Sequence, residues 1–392
     1  MNILFVLKTL SIGGVEVVTS VLANKFVEEG HGVSVFSFLE GNGKCKARFD
    51  SQVAVCIGDG FVFNQANVES MRTIISENKI DVIINQWGLP LVPIKTIQKA
   101  IRGTAVKVIT MYHNDPLFNG RIAGVDMQIV RTRNWTKRLL LQMKKSVFRF
   151  ITSRAMRYNY QNSDWFMVLS ASFIPHFKQF TKVSHPTHLG VQTNPITIPE
   201  GGYTYQAEGK IKEVIYVGRL ENSAKRPHRV IDTWKLLETE FPDWTLTFVG
   251  DGDELANLQR HVNDLALKNV RFVGYADPVA YYERASIIIQ TSEFEGFPLI
   301  LPESMSRGVI PCVYGSFPAV YDILDDGKNG YVIRPGNNGF EATKMADKLR
   351  NLMSNAQLRN EMAELALEKS KLFSIDIIYN QWLNTFRNLG IK

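Results

Sequence analysis

Gln290-Thr291-Ser292-Glu293-Phe294-Glu295-Gly296-Phe297-Pro298-Leu299-Ile300-Leu301-Pro302-Glu303 is the stretch on which the fold turns. The β-branched run just before it, 286–289, reads as a buried strand. Gly296 and Pro298 break the chain, and the apolar run carrying Glu303 and Met305 reads as a helix ending near Gly308. The product is strand, acidic loop, helix, with Glu295 at the strand's C-terminal end, where open α/β sheets bind ligands. The first amides of the helix, from Leu299 and Ile300 onward, have no internal partner and favour an anion such as phosphate. Pro302 costs little within the first helical turn, where its missing N–H would be unpaired anyway. Two carboxylates beside a phosphate cradle call for hydroxyls or a cation, and a sugar ring and a ribose supply hydroxyls.

The same alternation extends in both directions. A strand at 3–7, the turn Ser11-Ile12-Gly13-Gly14, a helix at 16–29 and a strand at 33–38 make a βαβ unit, so the sheet should be parallel. A helix at 65–78 and strands at 80–85, 106–111 and 165–169 continue it. The stretch 186–212, rich in Pro, Gly and Thr, reads as a domain boundary. A second series follows: strands at 213–217, 245–249 and 270–273, helices at 227–240, 253–267 and 278–285, and then the pivotal strand. A strand at 330–333 and amphipathic segments at 340–353, 356–372 and 374–389 close the chain. The expectation is an α/β protein of two doubly wound, Rossmann-like domains, 1–195 and 196–372, with a C-terminal helix, 373–392, packing back on the first.

Within EGFPLILPESM-SRGVIPCV, followed by DILDDGKNGYVI, the pair Glu295 and Glu303 resembles the donor-site signature of the family-4 retaining glycosyltransferases of GT-B fold. Val217-Gly218-Arg219-Leu220 is a second match, and the resemblance covers most of the chain, densest from 213 to 333. It implies two domains facing across a cleft, a first domain on the acceptor side and a second that takes a nucleotide-sugar donor. By that resemblance Glu303 bonds the nucleotide ribose, and Glu295 with the backbone of Gly296 and Phe297 holds donor-sugar hydroxyls. The amides of Leu299 and Ile300 meet the β-phosphate, and the base rests near Gly274. Arg219 and Lys225 grip the diphosphate, because fixed cations stabilise a leaving group that gains charge as the glycosidic bond breaks; Arg226 adjoins Lys225 and is the alternative. Gly13-Gly14 is similar to the family's GGxE loop, and His113 matches a histidine that contacts the donor sugar. Asp322 stands where the family more often carries Glu.

Asp251-Gly252-Asp253 has the form of a DxD metal motif, but it lies between a strand and a helix, so Asp253 is expected to cap that helix. No metal and no cofactor beyond the donor is expected. Gly13-Gly14 is no GxGxxG, so no nicotinamide cofactor is inferred.

With 392 residues the chain has room for two cores, and 45% hydrophobic with 21% charged residues is ordinary for a soluble protein. No apolar run approaches the ~20 residues that span a bilayer. The N-terminus reads as a strand, not a signal peptide. Cys45, Cys56 and Cys312 are scattered, as in a reducing cytoplasm.

The net charge of +7 is local. Between Met127 and Ser163 there is no acid but there are nine cations, Arg131, Arg133, Lys137, Arg138, Lys144, Lys145, Arg149, Arg154 and Arg157; without them the balance is −2. Trp135, Leu139, Met143, Val147 and Ile151 recur every four residues, a helical stripe. One reading packs the stripe on the core with a solvated basic face; the other lays the helix on an anionic membrane at the inner face of the plasma membrane.

The function expected is transfer of a hexose-type sugar from a UDP donor to a hydroxyl of a growing glycan, lipid-linked acceptors included, in cell-surface polysaccharide synthesis. The rivals are a nucleotide-sugar epimerase of the same fold and a basic nucleic-acid binder. The second would set aromatics among its cations and leaves both donor-site carboxylates unexplained, so no nucleic-acid partner is expected.

Overall fold

A computed structural model describes residues 1–118, 120–199 and 201–391, at 121, 123, 127, 130 and 131 by the backbone alone. The chain forms two units, Met1–Thr197 together with Ile375–Lys392, and Ile198–Ser374.

The first unit contains β1 (Asn2–Thr9), α1 (Gly14–Glu28), β2 (Gly32–Leu39), β3 (Ala54–Ile57), α2 (Gln65–Glu77), β4 (Val82–Asn85) and α3 (Leu91–Ala100). It continues with β5 (Lys107–Tyr112), α4 (Gly120–Arg131), α5 (Trp135–Gln161), β6 (Trp165–Val168), α6 (Phe173–Thr181) and β7 (Leu189–Val191). Its seven strands run in the order β3-β2-β1-β4-β5-β6-β7, and the pairs are parallel. Strand β1 lies inside this sheet, and Ile3, Leu4, Phe5, Val6 and Leu7 are all fully buried, which is why its sequence is a continuous apolar run without alternation. The order reverses between β1 and β4, so ligands are expected outside the C-terminal ends of those strands.

The second unit contains β8 (Ile211–Val217), α7 (His228–Trp234), β9 (Thr245–Val249), α8 (Leu255–Asp264), β10 (Val270–Phe272), α9 (Val279–Arg284) and β11 (Ala285–Gln290). Then come α10 (Ile300–Met305), β12 (Ile310–Tyr314), α11 (Val320–Ile323), β13 (Tyr331–Ile333), α12 (Ala342–Ser354) and α13 (Ala356–Ser370). Six parallel strands run β10-β9-β8-β11-β12-β13, reversing between β8 and β11. One face is packed by Trp234, Trp244, Leu349 and Leu352, all essentially inaccessible.

The last helix, α14 (Ile375–Asn388), belongs to the first unit. Phe26 of α1 meets Tyr379 at 5.3 Å and Phe386 at 5.8 Å between ring centroids, and Trp382 is 1% exposed.

Several expectations are corrected in detail. Strands β3, β7 and β12 and helices α3, α4, α6 and α11 are additional to the sequence reading. Helix α3 hides behind Pro90 and carries Pro93 at its third position, where a helix tolerates it. Helix α7 ends at Trp234, and the residues up to 240 are turns. Among the described residues no helix is long and apolar enough to cross a membrane.

For α5 the structure decides between the two readings of the stripe. The stripe does not pack on the core: Trp135 is 75% and Met143 60% exposed, while Leu141, Thr152 and Met156 on the other side are buried. Of the nine cations, the side chain of Arg131 lies outside the described residues.

Candidate active site

The second unit gathers charged side chains where its sheet reverses. Strand β8 ends at Val217 and leads into a loop carrying Arg219 and Lys225; its neighbour β11 ends at Gln290 and leads into the loop carrying Glu295. The two loops are tied by hydrogen bonds to the main chain of the first: Glu293 N–H donates to Ala224 O (2.6 Å) and the Thr291 hydroxyl to Arg226 O (3.0 Å).

Across that seam Lys225 Nζ lies 2.5 Å from Glu295 Oε1. The same oxygen accepts from Ser292 Oγ at 2.7 Å and Gln290 Nε2 at 3.0 Å. Glu295 is therefore held by one cation and two neutral donors, a charge-assisted set that fixes its position. Arg219 differs. Its side chain is 72% exposed, and Glu221 Oε2 lies 3.7 Å from Nη1. Arg226, the alternative to Lys225, sits at φ 51° and turns its carbonyl to Thr291.

Helix α10 follows. Its internal bonding begins with Leu301 N–H to Pro298 O and Glu303 N–H to Leu299 O, so the amides of Leu299 and Ile300 precede the first bonds. Pro302 occupies the third helical position. Phe297 is 7% exposed and packs edge-on against Phe373. Glu303 is 6% exposed. It lies beside Tyr282, whose hydroxyl is pushed well above its ordinary pKa by burial first and then by the Glu303 charge and hydrogen bond.

The loops after β8, β9 and β10 close up on one another. Gly250 N–H donates to Gly274 O at 2.8 Å, and a Cβ at Gly250 would fall 2.0 Å from Gly218 O. Only glycine permits that approach, and Gly250 also has φ 147°. Asp253 does not cap the following helix, which corrects the sequence reading: α8 starts two residues later, at Leu255, without a side-chain cap. Asp251 Oδ1 instead accepts the Gly252 amide at 2.7 Å, and its carbonyl accepts from Leu220 at 2.9 Å. Among the described residues no group of three or more His, Cys, Asp and Glu is placed to hold a metal ion.

The first unit has its own cluster at its own reversal. Gly13, extended at φ −155°, precedes α1, and its Cβ position is crowded by Glu16 Oε2 at 2.6 Å. Glu16 is 5% exposed; burial raises its pKa, and its own amide and Lys8 draw it back. This carboxylate, the acid of the GGxE pattern, lies against the Gly13 turn. His113, one residue past β5, has its Nε2 2.6 Å from Gln86 Oε1. Burial lowers its pKa to about 4, so the ring is neutral near pH 7. With Nε2 carrying the proton toward Gln86, Nδ1 is an acceptor, and it is buried without a partner among the described residues. Trp87 Nε1 is likewise a buried donor without one. Both residues line a cavity of ≈ 240 Å³ with Val15, Gln86, Tyr112 and Asn114.

Sequence reasoning named Lys225, Glu295, Glu303 and His113 but passed over Gln290, Ser292, Glu16, Gln86 and Trp87. Gln86 and Trp87 follow β4 directly, so the rule that located Glu295 would have found them.

Two family profiles match nearly the whole chain between them: Glycosyltransferase Family 4 at residues 12–189 and Glycosyl transferases group 1 at residues 205–369. An uncharacterized glycosyltransferase of Haemophilus influenzae is 29% identical over 44% of this chain, a match spanning 48% of that relative's length. A Campylobacter jejuni relative, a GalNAc-alpha-(1->4)-GalNAc-alpha-(1->3)-diNAcBac-PP-undecaprenol alpha-1,4-N-acetyl-D-galactosaminyltransferase, is 24% identical over 98% of this chain and 97% of its own. Among solved structures, Anabaena HepE in complex with UDP superposes with a TM-score of 0.74 at 16% identity, covering 99% of this chain and 100% of that one.

Proposed function

The chain belongs to the family-4 glycosyltransferases of GT-B fold, and on that premise we propose that it moves a hexose-type sugar, with retention, from a UDP donor to a glycan hydroxyl. The observation that carries the reading is the fixed set Lys225, Glu295, Gln290 and Ser292 at the sheet reversal, with Glu303 buried on the helix that follows. UDP as the nucleotide agrees with the ligand of the Anabaena neighbour, and a lipid-linked glycan as acceptor with the undecaprenol-linked substrate named for the Campylobacter relative.

In this proposal Glu303 accepts hydrogen bonds from the ribose hydroxyls, and the amides of Leu299 and Ile300 donate to the β-phosphate. Glu295 and the backbone of Gly296 and Phe297 hold sugar hydroxyls, and the base lies near Gly274. Arg219 and Lys225 stabilise the diphosphate as the bond from the anomeric carbon to its oxygen breaks. The acceptor oxygen then bonds that carbon, and its proton passes to the departing phosphate. This front-face route is preferred to double displacement through Glu295 because it asks of that carboxylate only the position that Lys225, Gln290 and Ser292 already fix. The neutral His113, with Nδ1 open, accepts from a sugar hydroxyl. No metal or further cofactor takes part.

Thermal stabilisation tests it, since a ligand bound only by the folded state raises the melting temperature. UDP should stabilise the wild type, Glu303→Ala should lose most of that shift, and Glu295→Ala should keep it while losing turnover. The reverse pattern would show the two roles exchanged. Donor consumption without any glycan acceptor would favour the epimerase.

A further inference from the structure

Helix α5 is apolar on the wrong side for a core. It is anchored through Leu141, Thr152, Met156 and Asn159. At about 100° per residue these fall on one face, and Trp135, Leu139, Met143, Val147, Phe150 and Ile151 fall on the opposite one. The second set is exposed, from 50% at Ile151 to 75% at Trp135. A contiguous exposed ridge of this kind marks an interaction site.

The cations border the ridge. Lys137 and Lys144 lie along one margin, Arg138 and Arg149 along the other, and Arg154 and Arg157 extend it toward the C-terminal end. Among the described residues only Lys145 of the helix is in an ion pair, with Asp126. Arg149, Arg154 and Arg157 also line, with Lys182, a recess of ≈ 780 Å³ beside α6. An apolar ridge with basic margins is the section of a helix lying in a bilayer interface, where long cationic side chains reach back to the headgroups. A protein partner would need an acidic groove with an apolar floor, whereas an anionic bilayer offers both chemistries everywhere.

We propose that α5 docks this protein on an anionic phospholipid bilayer, its Trp135–Ile151 ridge at the acyl boundary and its Lys and Arg margins on the headgroup phosphates. The proposal adds a partner to the transferase reading and does not depend on which sugar is moved.

The experiment is flotation of the full chain with phosphatidylcholine vesicles, with and without phosphatidylglycerol. Binding should require phosphatidylglycerol and fall with salt. Trp135 is the one exposed tryptophan among the described residues, so emission should shift blue on binding, and Trp135→Phe should lose the shift. The double variant Lys137→Glu/Lys144→Glu should bind at least about tenfold more weakly. Met143→Glu/Val147→Glu should abolish binding with an unchanged melting temperature and an unchanged shift with UDP. Equal binding to neutral vesicles, or none to either, would overturn the proposal. So would self-association lost in Met143→Glu/Val147→Glu, which would give the ridge to a second copy. A failed UDP shift would remove the transferase reading and leave this one standing.

Discussion

Lys225 and Arg219 carry the same charge in opposite surroundings, and that difference is measurable. Lys225 is partly buried against Glu295, whose side chain is 12% exposed, whereas Arg219 reaches into solvent. Replacing either by Ala should cost about 2–4 kcal/mol of transition-state stabilisation in kcat/KM, the scale for one preorganised donor. Only Lys225→Ala should also lower the melting temperature, because it strips a buried carboxylate of its cation. Near-wild-type kcat/KM in both variants would take the pair out of the donor site. His113 supplies a pH test. Its folded pKa, about 4, lies below the ordinary 6.5, so the unfolded chain binds the extra proton first. Its contribution therefore weakens stability as pH falls from 6.5 toward 4 and is constant above. His113→Gln should flatten that part of the stability–pH curve in urea melts; an unchanged slope would show that the ring titrates normally.

At the scale of elements, what the sequence disclosed follows from how each element is buried. Strand β11 and its loop were legible because a fully buried parallel strand is a continuous apolar run and Gly296 and Pro298 mark its end. Helix α3 was passed over: it is short, and it carries Pro90 and Pro93, a residue type that ends helices elsewhere but is tolerated at a helix start. The α5 stripe was legible as a helix, but periodicity finds an apolar face and is silent about what covers it, so two placements stayed open and the exposure of Trp135 and Met143 removes the core-packed one. The loop after β9 was misjudged locally, because Glu254 separates Asp253 from α8 and Asp251 is the carboxylate that bonds the backbone. With its oxygen committed to Gly252, Asp251 is poorly disposed to ligate a metal. Activity should thus survive chelation; activity lost in chelator and restored by manganese or magnesium would contradict a metal-free reaction.

At the scale of the whole molecule, the chain leaves its first unit near Thr197 and returns to it at Ile375, so the last helix stabilises residues more than three hundred positions away. The periodicity of 374–389 showed a helix, and the expectation that it packs back on the first domain named no partner; that partner is Phe26 of α1, reached through Tyr379 and Phe386. Trp382 lies at the centre of that contact, 5.7 Å from Phe386 and essentially inaccessible. Its removal to Ala should cost about 3–5 kcal/mol, the range for deleting a large buried aromatic. The loss should fall on one unit only. Amide exchange should accelerate in α1, β1 and β2, while the amides of α10 and β11, in Ile198–Ser374, keep their protection and the shift with UDP keeps its size. Equal acceleration in both units would mean that α14 supports the second as well, and an unchanged α1 would mean that the Phe26 cluster contributes little.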